Sequence, residues 1–127
     1  MARYEHLPIY KAAMDLCVYL ENTVRNFSRY NKYTLGTELR DLSRSILLLI
    51  IKANSVRDKE DILRELTSRC DMLKTMLVLT KEVRAFESFK TFQHASSMAV
   101  ILSKQSEGWL KSSRRSRNRP LPPQGGE

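Results

Sequence analysis

The sequence predicts an all-α fold: an antiparallel up-down-up-down four-helix bundle with a flexible basic C-terminal tail. Three observations predict it. Apolar residues recur at alternating spacings of three and four in four separate segments, with no strand-like alternation of comparable length. The stretches between these segments, near residues 28–34, 54–58 and 85–88, are short, which makes consecutive helices antiparallel neighbours. After Trp109 the pattern stops, and KSSRRSRNRPLPPQGGE holds three of the chain's four prolines and two of its four glycines.

The first helix is predicted over residues 8–26. Pro8 suits a first turn, and Ile9, Ala13, Leu16, Leu20, Val24 and Phe27 form one stripe. The second is predicted over 35–53, with Thr34 as N-cap and Leu35, Leu39, Leu42, Ile46, Leu49 and Ala53 as its stripe. These two nineteen-residue segments would each span about 28 Å. The third begins after Asp58, read as its cap, and carries Leu63, Leu66, Cys70, Leu73 and Leu77 to about Arg84. The fourth starts after Ser88, with Phe89, Phe92, Ala95, Ala99, Leu102, Ser106 and Trp109 in register. Residues 1–110 therefore read as the bundle and 111–127 as the tail.

A chain of 127 residues fits one domain with a core of its own. The longest apolar run, Ile46 to Ile51, is six residues, far short of the roughly 20 that span a bilayer. The N-terminal stretch MARYEHLPIYK lacks the apolar region and small-residue site of a secretory signal, so a soluble, cytoplasmic protein is expected. Cys17 and Cys70 lie in apolar stripes without metal-binding spacing and read as reduced core residues. The formal charge is +8. Five of the 22 basic residues and one of the 14 acids follow residue 110, so residues 1–110 hold 17 basic against 13 acidic residues, or +4. Body and tail are both basic, which favours a polyanionic partner.

Two helices carry more apolar surface than one bundle core requires. Leu47, Leu48 and Ile51 point away from the Leu42, Ile46, Leu49 stripe, and Arg40 and Arg44 extend that outer face. Met72, Met76, Leu79 and Val83 do the same on the side opposite Cys70, Leu73 and Leu77. These outer stripes predict contacts in a homo-oligomer, with coverage by the tail or by an irregular bundle geometry as the alternative.

No catalytic constellation emerges. The histidines are His6 and His94, no Glu-x-x-His occurs, and neither a nucleophile elbow nor a phosphate-cradling glycine loop is present. The acidic pair Glu60–Asp61 lies in a first helical turn, where the helix dipole accounts for it. The expected protein is not an enzyme and uses no cofactor or metal. The residues suited to phosphate or carboxylate are Arg25, Arg29, Lys32, Arg40 and Arg44 in the body and Lys111, Arg114, Arg115, Arg117 and Arg119 in the tail. Solvation, or pairing with Glu21, Glu38 and Asp41, is the alternative for the body group.

The segment RNFSRYNKYTLGTELRDLSRSILLLIIKANS, residues 25–55, resembles the turn and second helix of the four-helix-bundle superfamily that includes ribosomal-RNA intervening-sequence proteins. It is more similar to the accessory variability determinant (Avd) proteins of diversity-generating retroelements. The shared features are an aromatic ending helix one (Phe27), a basic and aromatic turn (Ser28 to Thr34), and a helix start at Leu35, Gly36, Leu39 and Arg40. LPIYKAAMDLCVYLENTV fits the family's first helix, and the resemblance covers about residues 4–110. It implies a non-catalytic adaptor: a pentameric barrel with a basic surface that binds the retroelement's reverse transcriptase and its template RNA in mutagenic copying. No residue-level binding motif comes with it.

In the stretch FSRYNKYTLGTELR, Phe27 reads as a staple for the turn on which Tyr30 and Tyr33 pack, leaving Arg29, Lys32 and Arg40 outward to lend charge to an RNA or protein contact. Two other classes stand beside the adaptor. One is a structural oligomeric module with no nucleic-acid role. The other, a binder of anionic membranes, is disfavoured because Leu121 is the tail's one aliphatic anchor.

Overall fold

Pro8 opens the first long helix directly after an extended Leu7. The computed structural model describes residues 4–118. A 3₁₀ turn at Tyr4–His6 precedes α1 (Pro8–Val24), α2 (Arg29–Tyr33), α3 (Leu35–Ser55), α4 (Glu60–Glu82) and α5 (Phe89–Asn118). The described residues are all-helical, with four long helices and one short one. Packing runs from α1 to α3, α3 to α4, α4 to α5 and α5 back to α1, which closes a bundle-like ring around one core.

The connection expected as a loop over 28–34 is the one-turn helix α2. Ser28 caps it by accepting from the Asn31 N–H. Thr34 stands at the N-cap position of α3 as expected, but its hydroxyl makes no capping bond there and donates instead to the Tyr30 carbonyl at 2.8 Å, which finishes α2. Nor does Asp58 cap α4, whose N-cap is Lys59. The Lys59 ammonium donates to the Ala53 and Val56 carbonyls at 2.7 and 2.6 Å, satisfying acceptors left open at the end of α3. Ser88 accepts from the Thr91 N–H at 3.2 Å and starts α5 at the expected place.

At the end of α4, Arg84 sits at φ 61°, in the left-handed region. Its N–H bonds to the Lys81 carbonyl at 2.9 Å and the Ala85 N–H to the Thr80 carbonyl at 3.1 Å, the paired bonds of a Schellman motif that usually has glycine at this point. A Cβ there is strained by roughly 1–2 kcal/mol. Arg84→Gly is expected to raise unfolding free energy by about 1 kcal/mol in urea titration despite removing a side chain, and no gain would mean that the Arg84 stem contributes as much as the strain costs.

Every stripe residue expected on α1, Ile9 through Phe27, is buried, as are Leu63, Leu66, Cys70, Leu73 and Leu77 on α4. On α3 the buried apolar side chains are Leu39, Leu42, Ile46, Ile50 and Ala53; Leu35 and Leu49, both expected in the stripe, are only partly buried. Ile50 replaces Leu49 because a step of four then three from Ile46 reaches Ala53 as well as three then four does. On α5, Phe92, Ala95, Ala99, Leu102 and Ser106 are buried, but Phe89 is 62% exposed, its ring overhanging the helix start 5.6 Å from Phe92. Buried hydroxyls bond locally, Thr80 to the Met76 carbonyl at 2.7 Å and Ser106 to the Ser103 carbonyl at 2.8 Å. Both cysteines are free and buried, and burial pushes the Cys70 thiol up to about 11.

The expected helix end at Trp109 is corrected. α5 continues to Asn118, so residues 111–118 of the expected tail are helical. The run between Gly108 and Pro120 contains no breaker and is rich in arginine, Leu110 is buried, and Arg114 Nε reaches Glu60 Oε2 at 3.4 Å at the first turn of α4. Residues 119–127 of the expected tail lie outside the described residues. No helix among the described residues is long and apolar enough to cross a membrane.

Candidate functional site

The basic residues singled out in the sequence separate into three environments. Arg25 is the C-cap of α1, and Arg29 and Lys32 lie three apart on α2. Arg25 and Arg29 are exposed and Lys32 half-buried, and none forms an ion pair among the described residues. No acid occurs between Glu21 and Glu38, so this segment is a patch of unopposed positive charge.

Arg40 and Arg44 on α3 behave differently. Glu21, on the neighbouring α1, lies between them: its Oε1 is 3.2 Å from Arg40 Nε, and its Oε2 accepts from Arg44 Nε at 2.9 Å and Nη2 at 2.5 Å. The Arg40 contact is close enough for an ion pair but is not aligned as a hydrogen bond. Arg44 Nη1 also stands 3.9 Å from Asp41. The expectation that Arg40 faces outward is thus corrected, and for Arg40 and Arg44 the alternative holds, pairing with Glu21 and Asp41. One carboxylate bridges both guanidiniums, a tertiary contact invisible in the spacing along α3, and the net charge of the three groups is +1.

Tyr30 and Tyr33 do not pack on Phe27 as expected. They are 77% and 69% exposed, and neither ring touches another aromatic among the described residues. Phe27 is buried instead against Phe86, the centroids 5.6 Å apart and the planes at 87°. Phe86 continues to Phe92 at 5.9 Å, so a line of phenylalanines seals the junction of α1 with the α4–α5 connection while the two tyrosines stand clear of it.

The tail cations are divided too. Lys111 and Arg115 are exposed on α5, while Arg114 pairs with the buried carboxylate of Glu60, which Arg64 also contacts at 2.5 Å. Arg117 lies within the helix, and Arg119 lies outside the described residues. Beside Glu60, the start of α4 and the last turns of α5 enclose a cavity of about 530 Å³ lined by Arg57, Lys59, Trp109 and Ser113 among others. Its walls come from segments some 50 residues apart, so no local pattern marks it.

Of the residues expected to line subunit contacts, Leu48 (64%), Met72 (51%), Leu79 and Val83 are exposed and Ile51 is half-buried. Leu47 and Met76 pack partly against the core. Met72 and Met76 line a shallow groove of about 280 Å³ between α3 and α4, together with Glu38, Asp41, Leu42 and Arg69. A second exposed apolar patch, Val100 with Ile101 on α5, and the lone Val18 on α1 leave no mark in the periodicity, because each is too short to form a stripe. His94 is exposed and stacks edge-on against Tyr19 at 4.6 Å. Among the described residues, no group of three His, Cys, Asp or Glu side chains could hold a metal ion. No protein-family model matches the chain, and no curated protein does either.

Proposed function

We propose that the chain is a non-catalytic oligomeric adaptor of the Avd type, which holds a retroelement reverse transcriptase and its template RNA together for mutagenic cDNA synthesis in the cytoplasm. The observation that carries this reading is the coexistence on one small bundle of an unopposed cationic patch, Arg25, Arg29 and Lys32, with apolar side chains left exposed on α3 and α4. The cations suit phosphate oxygens. The apolar groups suit another subunit, in a ring of antiparallel up-down-up-down bundles that the family resemblance puts at five. A head-to-tail ring needs two different patches on each subunit, and the α3–α4 stripe and the Val100–Ile101 patch supply two.

One observation favours a second reading, a structural module without a nucleic-acid role. Glu21 occupies Arg40 and Arg44, the pair with the most regular spacing for binding phosphate. Co-expression with the polymerase separates the two. The tagged adaptor should retain both the polymerase and its template RNA, and its RNA affinity should fall at least about tenfold between about 50 and about 200 mM salt. Retention of neither component at low salt would leave the structural module as the reading.

A further inference from the structure

The helical spacing on α2 sets out two parallel rows. Arg29 and Lys32 are neighbours one turn apart, and Tyr30 and Tyr33 are neighbours one turn apart immediately beside them. The result is a row of cations next to a row of rings, a ring and a cation repeated twice. Arg25, four residues before α2, extends the positive charge toward α1. From this arrangement we propose that α2 is a stacking platform for unpaired nucleotides, with Tyr30 and Tyr33 holding bases and Arg29, Lys32 and Arg25 holding the adjoining phosphates.

Several features fit these residues to that ligand. A single strand repeats one phosphate beside one base, which is the repeat the α2 surface presents. Both phenol rings are mostly open to solvent, and neither hydroxyl has a partner among the described residues, so nothing in the bundle uses them. The backbone beneath them is fixed. Ser28 caps the turn, the Thr34 hydroxyl closes it on the Tyr30 carbonyl, and Phe27 is buried at its base. The backbone that carries the rings therefore needs little ordering on binding, and the entropy cost is confined to the side-chain torsions of two tyrosines. A duplex hides its base faces and could use only the cations. An acidic protein could also use the cations but would have no need of the alternating rings.

This platform rests on the adaptor reading only in that the chain binds nucleic acid, and the test separates the two. Binding of the full-length protein to fluorescein-labelled oligouridine of about 20 nucleotides is compared with a duplex of equal length, with oligothymidine as the deoxy arm. Tyr30→Ser with Tyr33→Ser should lower oligouridine affinity about tenfold or more and duplex affinity less than about twofold. Tyr30→Phe with Tyr33→Phe should restore it, and equal loss on oligothymidine would identify the ligand as unpaired bases of either sugar. Arg29→Ser with Lys32→Ser should weaken single strand and duplex together. Circular dichroism of each variant verifies helix content. An oligouridine affinity that is unchanged in the serine pair, or that falls equally on the duplex, overturns the platform while leaving the adaptor intact. So does loss of polymerase retention with oligouridine binding preserved, which would make α2 a protein contact. A wild-type protein that binds neither strand form at low salt ends the RNA part of the adaptor reading and the platform with it.

Discussion

If the chain assembles through α3 and α4 as proposed, Leu48→Glu combined with Met72→Glu is expected to leave monomers without loss of helix, with an association constant lowered by more than about a hundredfold. Both side chains are more than half exposed in the single chain, so carboxylates there stay hydrated and cost the monomer little. In a closed apolar seam the same carboxylates would lose their water without gaining a partner, a penalty of several kcal/mol. Met76 is the poorer choice although it lies on the same predicted stripe. It packs partly against the core, and a charge there would perturb the fold and the assembly together. Analytical ultracentrifugation reads the outcome. A wild-type monomer at high concentration would remove the premise, and a variant that remains assembled would place the contact elsewhere, with Val100 and Ile101 next in line.

What the sequence made legible follows from what a helix repeats. Burial of Ile9, Leu16, Leu20, Leu66, Leu73 and Leu102 could be read from spacing because one core lies on one side of each helix. Spacing could not show which of two phase-related residues faces inward, so Leu49 and Ile50 were exchanged. Contacts between helices were illegible for a different reason. Nothing along α3 shows that Glu21 lies between Arg40 and Arg44, because that depends on the rotation of α1. The last turns of α5 are hidden in the composition of the whole segment to Glu127. The prolines and glycines that speak against a helix begin only at Pro120, whereas Leu110 and the Arg114–Glu60 pair favour one up to that point. The α2 tyrosines show the same limit. An aromatic in a turn suits packing or display equally well, and only the position of Phe27 decides which.

Gly36→Ala is expected to destabilise the fold by about 1–3 kcal/mol, against the ordinary preference for alanine in a helix. Gly36 is buried in the first turn of α3, where a Cβ would stand 2.5 Å from Val24 Cγ1 and 3.2 Å from the Asn31 carbonyl oxygen. Val24 cannot yield, being fully buried on α1 and β-branched, with essentially one rotamer open to it in a helix. The carbonyl oxygen belongs to the α2 backbone, so relief would have to come from moving α1 or α2 away from α3. Gly108 supplies the control within the same chain: it lies inside α5 and a Cβ there meets nothing within 4 Å. Gly108→Ala should therefore stabilise by roughly 0.5–1 kcal/mol, through helix propensity alone. Urea titrations of the two variants should move in opposite directions, and an upward shift in both would show that α1, α2 and α3 do not meet as closely at Gly36 as described. Because the added methyl presses on the segment that carries Tyr30 and Tyr33, Gly36→Ala should also weaken oligouridine binding, under conditions where the protein remains folded, while Gly108→Ala leaves it unchanged.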